Sequence, residues 1–214
     1  MDAKLGKNEV RKTYEKMAAS YDLWSNFAET RARRRCLDLA AIKNGEYVLE
    51  VAVGTGVLFE NILRLNPSGI NEGIDMTEPM LARARERARR TGMSNYNLQI
   101  GDAYRLDYPD ESFDVVVNNY MFDLIPEQDF LTILGEFKRV LKKGGRLVLV
   151  SMTWGSRLFN TTWDWLYRFR PALLGGCRGV ELKPYMEQAG FEKIYREYVS
   201  QMGFPSEVVS GEKP

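Results

Sequence analysis

Val48-Leu49-Glu50-Val51-Ala52-Val53-Gly54-Thr55-Gly56 is the stretch on which the reading of this chain turns. An apolar run meets a glycine turn, and helical spacing resumes after it, which predicts a strand over 46–51 and a helix over 55–65. In an open parallel sheet, ligands bind outside the carboxyl ends of the strands. Glycines there allow close backbone approach, and the N–H groups that start the helix face an anionic group. A dinucleotide turn read from Gly54 needs glycine at position 59, the site of close helix–strand packing, and Phe59 stands there instead. Glu50 beside the turn suits a ligand end that carries an ammonium as well as a carboxylate, rather than a pyrophosphate.

Outward from the loop, strands are expected at 70–75, 96–101, 113–118 and 145–152, and helices at 77–91 and 127–141. Val115-Val116-Val117 and Leu147-Val148-Leu149-Val150 are continuous rather than alternating. Strands buried on both faces look like that, so an α/β fold with a mostly parallel sheet between two helical layers is expected. Thr77 is placed to cap a helix with Glu78 and Pro79 in its first turn. Lys142-Lys143-Gly144-Gly145 reads as cations followed by glycine at a helix end.

Acids recur at the strand ends. Asp75, within Ile74-Asp75-Met76, can accept from two ribose hydroxyls while Met76 packs on a purine face. Asp102, within Gly101-Asp102-Ala103, can accept from an exocyclic amine. Asn118-Asn119-Tyr120 ends the fourth strand, where a second substrate would meet the ligand. Each acid alone reads equally well as a loop carboxylate or helix cap. Three at successive strand ends beside a glycine turn form a pattern.

The flanks read differently. Over residues 1–44, Val10, Tyr14, Met17 and Tyr21, then Ala28, Ala32, Cys36 and Leu39, follow helical spacing. Two helices with a break near 20–25 are expected, the second closed by Asn44-Gly45. Residues 153–214 open on an aromatic-rich helical stretch, with a helix at 179–189 and strands near 191–199 and 205–209. The whole chain, 1–214, is expected to be one domain: a helical cap (1–44), a core (46–152) and a substrate-side portion (153–214).

Bulk properties narrow the chemistry. With 214 residues, 44% hydrophobic and 28% charged, the chain has ordinary globular composition. A net charge of +1 gives no global field for nucleic acid. There is no histidine, which excludes a histidine base and histidine metal sites; no metal-ligand spacing occurs either. Two distant cysteines, no apolar leader and no run of about 18 apolar residues fit a cytoplasmic location.

The motifs resemble those of the class I S-adenosylmethionine-dependent methyltransferases, in the branch of ubiquinone/menaquinone C-methyltransferases and phospholipid N-methyltransferases. The matching stretches are Val48 to Gly56, Gly73 to Leu81, Gly101-Asp102-Ala103, Ser112 to Val116 and Arg139 to Gly145. Ala18-Ala19-Ser20-Tyr21-Asp22 resembles the family's N-terminal segment, and similarity is weaker around Ala189-Gly190-Phe191. The resemblance implies a Rossmann-like three-layer sandwich with seven strands, the last antiparallel. It implies S-adenosylmethionine as cofactor, leaving S-adenosylhomocysteine, and a small-molecule acceptor of quinone or phospholipid type. Carried over by position, the cofactor residues are Tyr21, Glu50, Ala52, Gly54, Gly56, Asp75, Met76, Asp102, Ala103 and Asn118. Ala52 departs from the family by replacing the loop's first glycine, and 153–185 matches no substrate signature.

Residues 154–169 are rich in aromatics and arginine. They read either as a lid over an apolar acceptor, with transient membrane-surface contact, or as a helix packed on the sheet. Tyr120, Phe122, Trp154, Phe159 and Trp163 are the candidate substrate contacts. Without histidine, a base must be a carboxylate or tyrosine, and Tyr21, Tyr120 and Asp123 are the candidates. The arginine runs at 31–35 and 83–90 read as solvated helix faces, and Cys36 as a buried structural thiol. Two rival readings are a non-catalytic binding module on the same fold and a nucleotide-dependent oxidoreductase.

Overall fold

The computed structural model describes residues 29–155 and 177–214. Seven strands form one sheet in the order β3-β2-β1-β4-β5-β7-β6. They are β1 (Tyr47–Val51), β2 (Ile70–Asp75), β3 (Tyr96–Ile100), β4 (Phe113–Asn119), β5 (Leu141–Met152), β6 (Glu192–Gln201) and β7 (Phe204–Glu212). The first five run parallel; β7 lies antiparallel to both β5 and β6. The chain order reverses between β1 and β4, so their carboxyl ends open the crevice in which such sheets bind ligands.

The continuous valines have their predicted meaning. Val115, Val117, Val148 and Val150 pack on one face beneath α1 (Thr30–Ala40), α2 (Val57–Leu65) and α3 (Glu78–Arg90). Val116, Leu147 and Leu149 pack on the other face, beneath α4 (Phe130–Val140) and α5 (Lys183–Gln188). Alternate side chains leave a strand on opposite sides, so a strand covered twice must be apolar at every position. Each fully buried phenylalanine of α4, such as Phe137, contributes about 1.5–3 kcal/mol relative to exposure. Cys36 is fully buried, as expected.

Local differences from the sequence expectations have local causes. Helix α1 ends at Ala40, with Ala41 in the left-handed region (φ 45°), before Asn44-Gly45 is reached. Lys142 to Gly145 do not cap α4: β5 begins at Leu141, and the four residues form an irregularity in its pairing with β4. The expected helix at 127–141 therefore opens as a 3-10 turn (Glu127–Asp129) and stops at Val140. Helix α5 is shorter than expected, and β6 and β7 run beyond 199 and 209. Their hairpin turns on Met202 (φ 52°) and Gly203 (φ 83°), both left-handed as a type I′ two-residue turn requires. Arg33 is buried and paired with Glu29 at 3.0 Å, so it does not belong to a solvated face. Among the described residues, no helix is long and apolar enough to cross a membrane.

Candidate cofactor site

The β1–α2 turn is built around one carboxylate. Gly54 N–H donates to Asp75 Oδ2 at 2.8 Å, and Thr77 donates to Asp75 Oδ1 through its backbone N–H (2.9 Å) and its hydroxyl (3.0 Å). Thr77 occupies the N-cap position of α3, but its hydroxyl serves Asp75 rather than the helix. Asp75 thus locks the glycine turn to the start of α3. Burial outweighs these donors and raises its carboxyl above the usual range. A carboxylate has about four lone-pair sites and three are taken here, so room remains for about one hydroxyl of a ligand. Ala52 sits at φ 59°, the conformation that a glycine would adopt without strain.

Beyond this turn lies a cleft of about 220 Å³. Ala52, Asp75, Met76, Asp102 and Ala103, five of the expected cofactor residues, line it together. Asp102 accepts from Tyr104 N–H at 3.2 Å. Apolar residues complete the lining: Met121, Leu124, Ile125 and Pro126, with Met80. Tyr104 Oη donates to Asp129 Oδ2 at 2.8 Å, joining the loop after β3 to the entry of α4. Neither residue was singled out from sequence, although Tyr104 directly follows Asp102-Ala103 and Asp129 sits in the acidic start of the expected helix. Helix periodicity does not report the path of a loop, so it could not bring the two together.

Gly54 and Gly56 are not cleft walls. Gly54 contributes its N–H to Asp75, and Gly56 (φ 82°) lets α2 approach α3 at Ala84. Phe59 is buried, edge-on to Tyr96 at 6.1 Å between ring centroids. An aromatic ring fills the contact where a dinucleotide turn has glycine, as the sequence suggested.

A family described as methyltransferase domain matches residues 42–190. The chain belongs to the class I S-adenosylmethionine-dependent methyltransferases. It is 28% identical over 227 residues to a demethylmenaquinone methyltransferase of Listeria monocytogenes, covering 91% of each chain. It is 34% identical over 146 residues to a phosphatidylethanolamine N-methyltransferase of Cereibacter sphaeroides, covering 66% of this chain and 67% of that one. In fold it is similar to the geranyl diphosphate C-methyltransferase of Streptomyces coelicolor, solved with S-adenosylhomocysteine. That comparison gives a TM-score of 0.68 at 13% identity, covering 87% of this chain and 79% of that one.

The remaining expected residues of this methyltransferase fall in three places. Tyr21, Phe159 and Trp163 lie outside the described residues. Glu50 and Asn118 are buried at the ends of β1 and β4, where Glu50 Oε2 and Asn118 Oδ1 have no hydrogen-bond partner among the described residues. Orphaned acceptors at these two ends fit a methyl donor whose methionine portion bears an ammonium. Phe122 and Trp154 lie off the cleft. Phe122 is fully buried, edge-on to Phe130 at 5.0 Å between centroids, while Trp154 is exposed with its ring against Gly179.

The candidate bases are similarly constrained. Tyr120 lines the cleft at φ 50°, with Oη 2.8 Å from Ser206 Oγ. Burial first, and then the Glu29 charge, hold its phenol well above the ordinary range, so it keeps its proton at neutral pH. Asp123 is fully buried behind the wall, and burial pushes its carboxyl up to about 6. No cluster of potential metal ligands occurs among the described residues.

Burial, and next the nearby Asp75, raise the Glu50 carboxyl well above the ordinary range; Arg33 opposes them. A folded-state pKa raised above its unfolded value favours the fold fully below the unfolded value, and that advantage is lost as pH rises through the folded one. Glu50→Gln should therefore stabilise the ligand-free protein at neutral pH by about 1 kcal/mol, a rise of ~2–4 °C in Tm, and weaken donor binding. Calorimetric melts with and without S-adenosylhomocysteine check both signs.

Proposed function

We propose that this methyltransferase acts on a lipid-like or aromatic small molecule of quinone or phospholipid type. The observation that carries the reading is the mixed lining of the cleft: the carboxylates of Asp75, Asp102 and Asp129 together with the apolar Met121, Leu124, Ile125 and Pro126 and with Tyr120. The demethylmenaquinone and phosphatidylethanolamine acceptors in the names of two relatives support the same class. S-adenosylmethionine, when bound, supplies an electrophilic methyl group. The chain's task is then to align a nucleophile with that carbon at about 3 Å, an effect that can supply roughly 7–11 kcal/mol. Asp75, Asp102 and Asp129 accept hydrogen bonds within the protein, and Tyr120 keeps its proton. Orientation of an acceptor that is already nucleophilic is the chemistry these residues suit.

The test offers the purified enzyme radiolabelled S-adenosylmethionine with phosphatidylethanolamine vesicles, a demethylated quinol in detergent, and water-soluble amines and catechols. Label in the organic extract supports the reading. Label confined to water-soluble acceptors overturns it.

A further inference from the structure

We propose that Arg178 is a positioning residue that sets the affinity for the methyl donor by fixing the apolar wall of the cleft. This rests on the reading that the cleft lined by Asp75 and Asp102 receives the donor. The wall is carried on a 3-10 turn, Phe122–Leu124, and the two residues after it. So short a turn leaves most of its carbonyls without a helical partner.

Arg178 supplies the donors. Its backbone N–H donates to Asp123 O at 3.2 Å, and its guanidinium donates to Ile125 O at 2.7 Å and, more loosely, to Phe122 O at 3.5 Å. The guanidinium carbon lies 5.8 Å from the centroid of the Phe130 ring, which opens α4. One residue, 2% exposed, thus reaches both ends of the turn with its side chain, at Phe122 O and Ile125 O, and the middle with its backbone, at Asp123 O. A planar guanidinium can hold separated carbonyls in fixed directions; an ammonium cannot.

The segment that bears Arg178 is anchored in turn. Val180 N–H donates to Met152 O at 3.0 Å, and Leu182 N–H donates to Glu207 Oε1 at 2.6 Å. Arg178 therefore ties this wall of the cleft to the end of β5, at Met152, and to β7, at Glu207. It touches no ligand; it acts through Leu124, Ile125 and Pro126.

The full-length protein tests this with Arg178→Ala, Arg178→Lys and Asp75→Asn. Binding of S-adenosylhomocysteine is measured by calorimetry, and the KM of each substrate by methyl transfer. Both Arg178 variants should bind S-adenosylhomocysteine about tenfold more weakly and raise the donor KM, with kcat at saturating donor within about twofold of wild type. Lysine should restore the melting temperature more than the affinity. If Arg178→Ala does not fold, Arg178→Lys carries the test. Unchanged affinity in a folded Arg178 variant, alongside weakened affinity in Asp75→Asn, overturns the role of Arg178. Unchanged affinity in Asp75→Asn overturns the placement of the donor, and the inference with it.

Discussion

Asp75→Ala should reduce binding of S-adenosylhomocysteine by about 10²–10⁴-fold, the largest effect expected of any single change in the cleft. The size follows from losing a ligand hydrogen bond to a carboxylate, about 1.5–3 kcal/mol, together with about 1–3 kcal/mol from releasing the glycine turn that Asp75 holds through Gly54 and Thr77. Stability should fall less. Gly54 and Thr77 lose their acceptor, at about 1–3 kcal/mol in total, because removing a carboxylate that burial already disfavours offsets part of the loss. Calorimetric titration and thermal melting separate the two effects. The sign with pH is also fixed. The carboxyl is raised in the folded state, so its contribution to stability is full below the unfolded value and declines as pH rises through the folded one. Ligand affinity should move the opposite way, because an ionised carboxylate is the better acceptor for a ligand hydroxyl. Wild-type affinity should strengthen as pH rises through the acidic range, and Asp75→Asn should flatten that dependence. A variant that binds as tightly as wild type would remove Asp75 from the site.

Sequence legibility follows the range of the interactions involved. The doubly covered strands were readable because burial on both faces forces apolar residues at successive positions, as at 115–117 and 147–150. The acids at 75 and 102 were readable because a strand end in a parallel sheet is a fixed place relative to its neighbours. Helix ends were less readable, since alternatives of similar local energy compete there. Ala41 takes the left-handed turn that Gly45 was expected to supply. Lys142 to Gly145 continue into β5 because strand pairing with β4 resumes before a cap can form. Contacts across long separations were not readable. Nothing local to Arg33 signals burial beside Glu29, nothing near Phe122 signals that its ring turns into the core, and nothing near Arg178 points to carbonyls 53–56 residues earlier.

The glycine turn itself supplies the second large effect, and it separates two glycines that the sequence treats alike. A Cβ on Gly56 would stand 2.8 Å from Ala84 Cα and 2.9 Å from Ala84 Cβ, at a backbone φ of 82°. Gly56→Ala therefore combines left-handed strain of about 1–2 kcal/mol with overpacking of about 1–3 kcal/mol. The expected loss is about 2–5 kcal/mol, and relief requires α2 to move off α3. That movement shifts Gly54 N–H away from Asp75, so donor affinity should fall with stability. At Gly54 (φ 58°) a Cβ would meet nothing within 4 Å, so Gly54→Ala should cost only the strain, about 1–2 kcal/mol. Ala52, at φ 59° in the same loop, already bears that strain in the native chain. Chemical denaturation of both variants, with S-adenosylhomocysteine titrations, gives the comparison. If the two alanines destabilise equally, the α2–α3 contact at Ala84 is not what holds the turn. If Gly56→Ala alone collapses both stability and binding, the second glycine of the motif serves helix packing, and the ligand feels it only through Asp75.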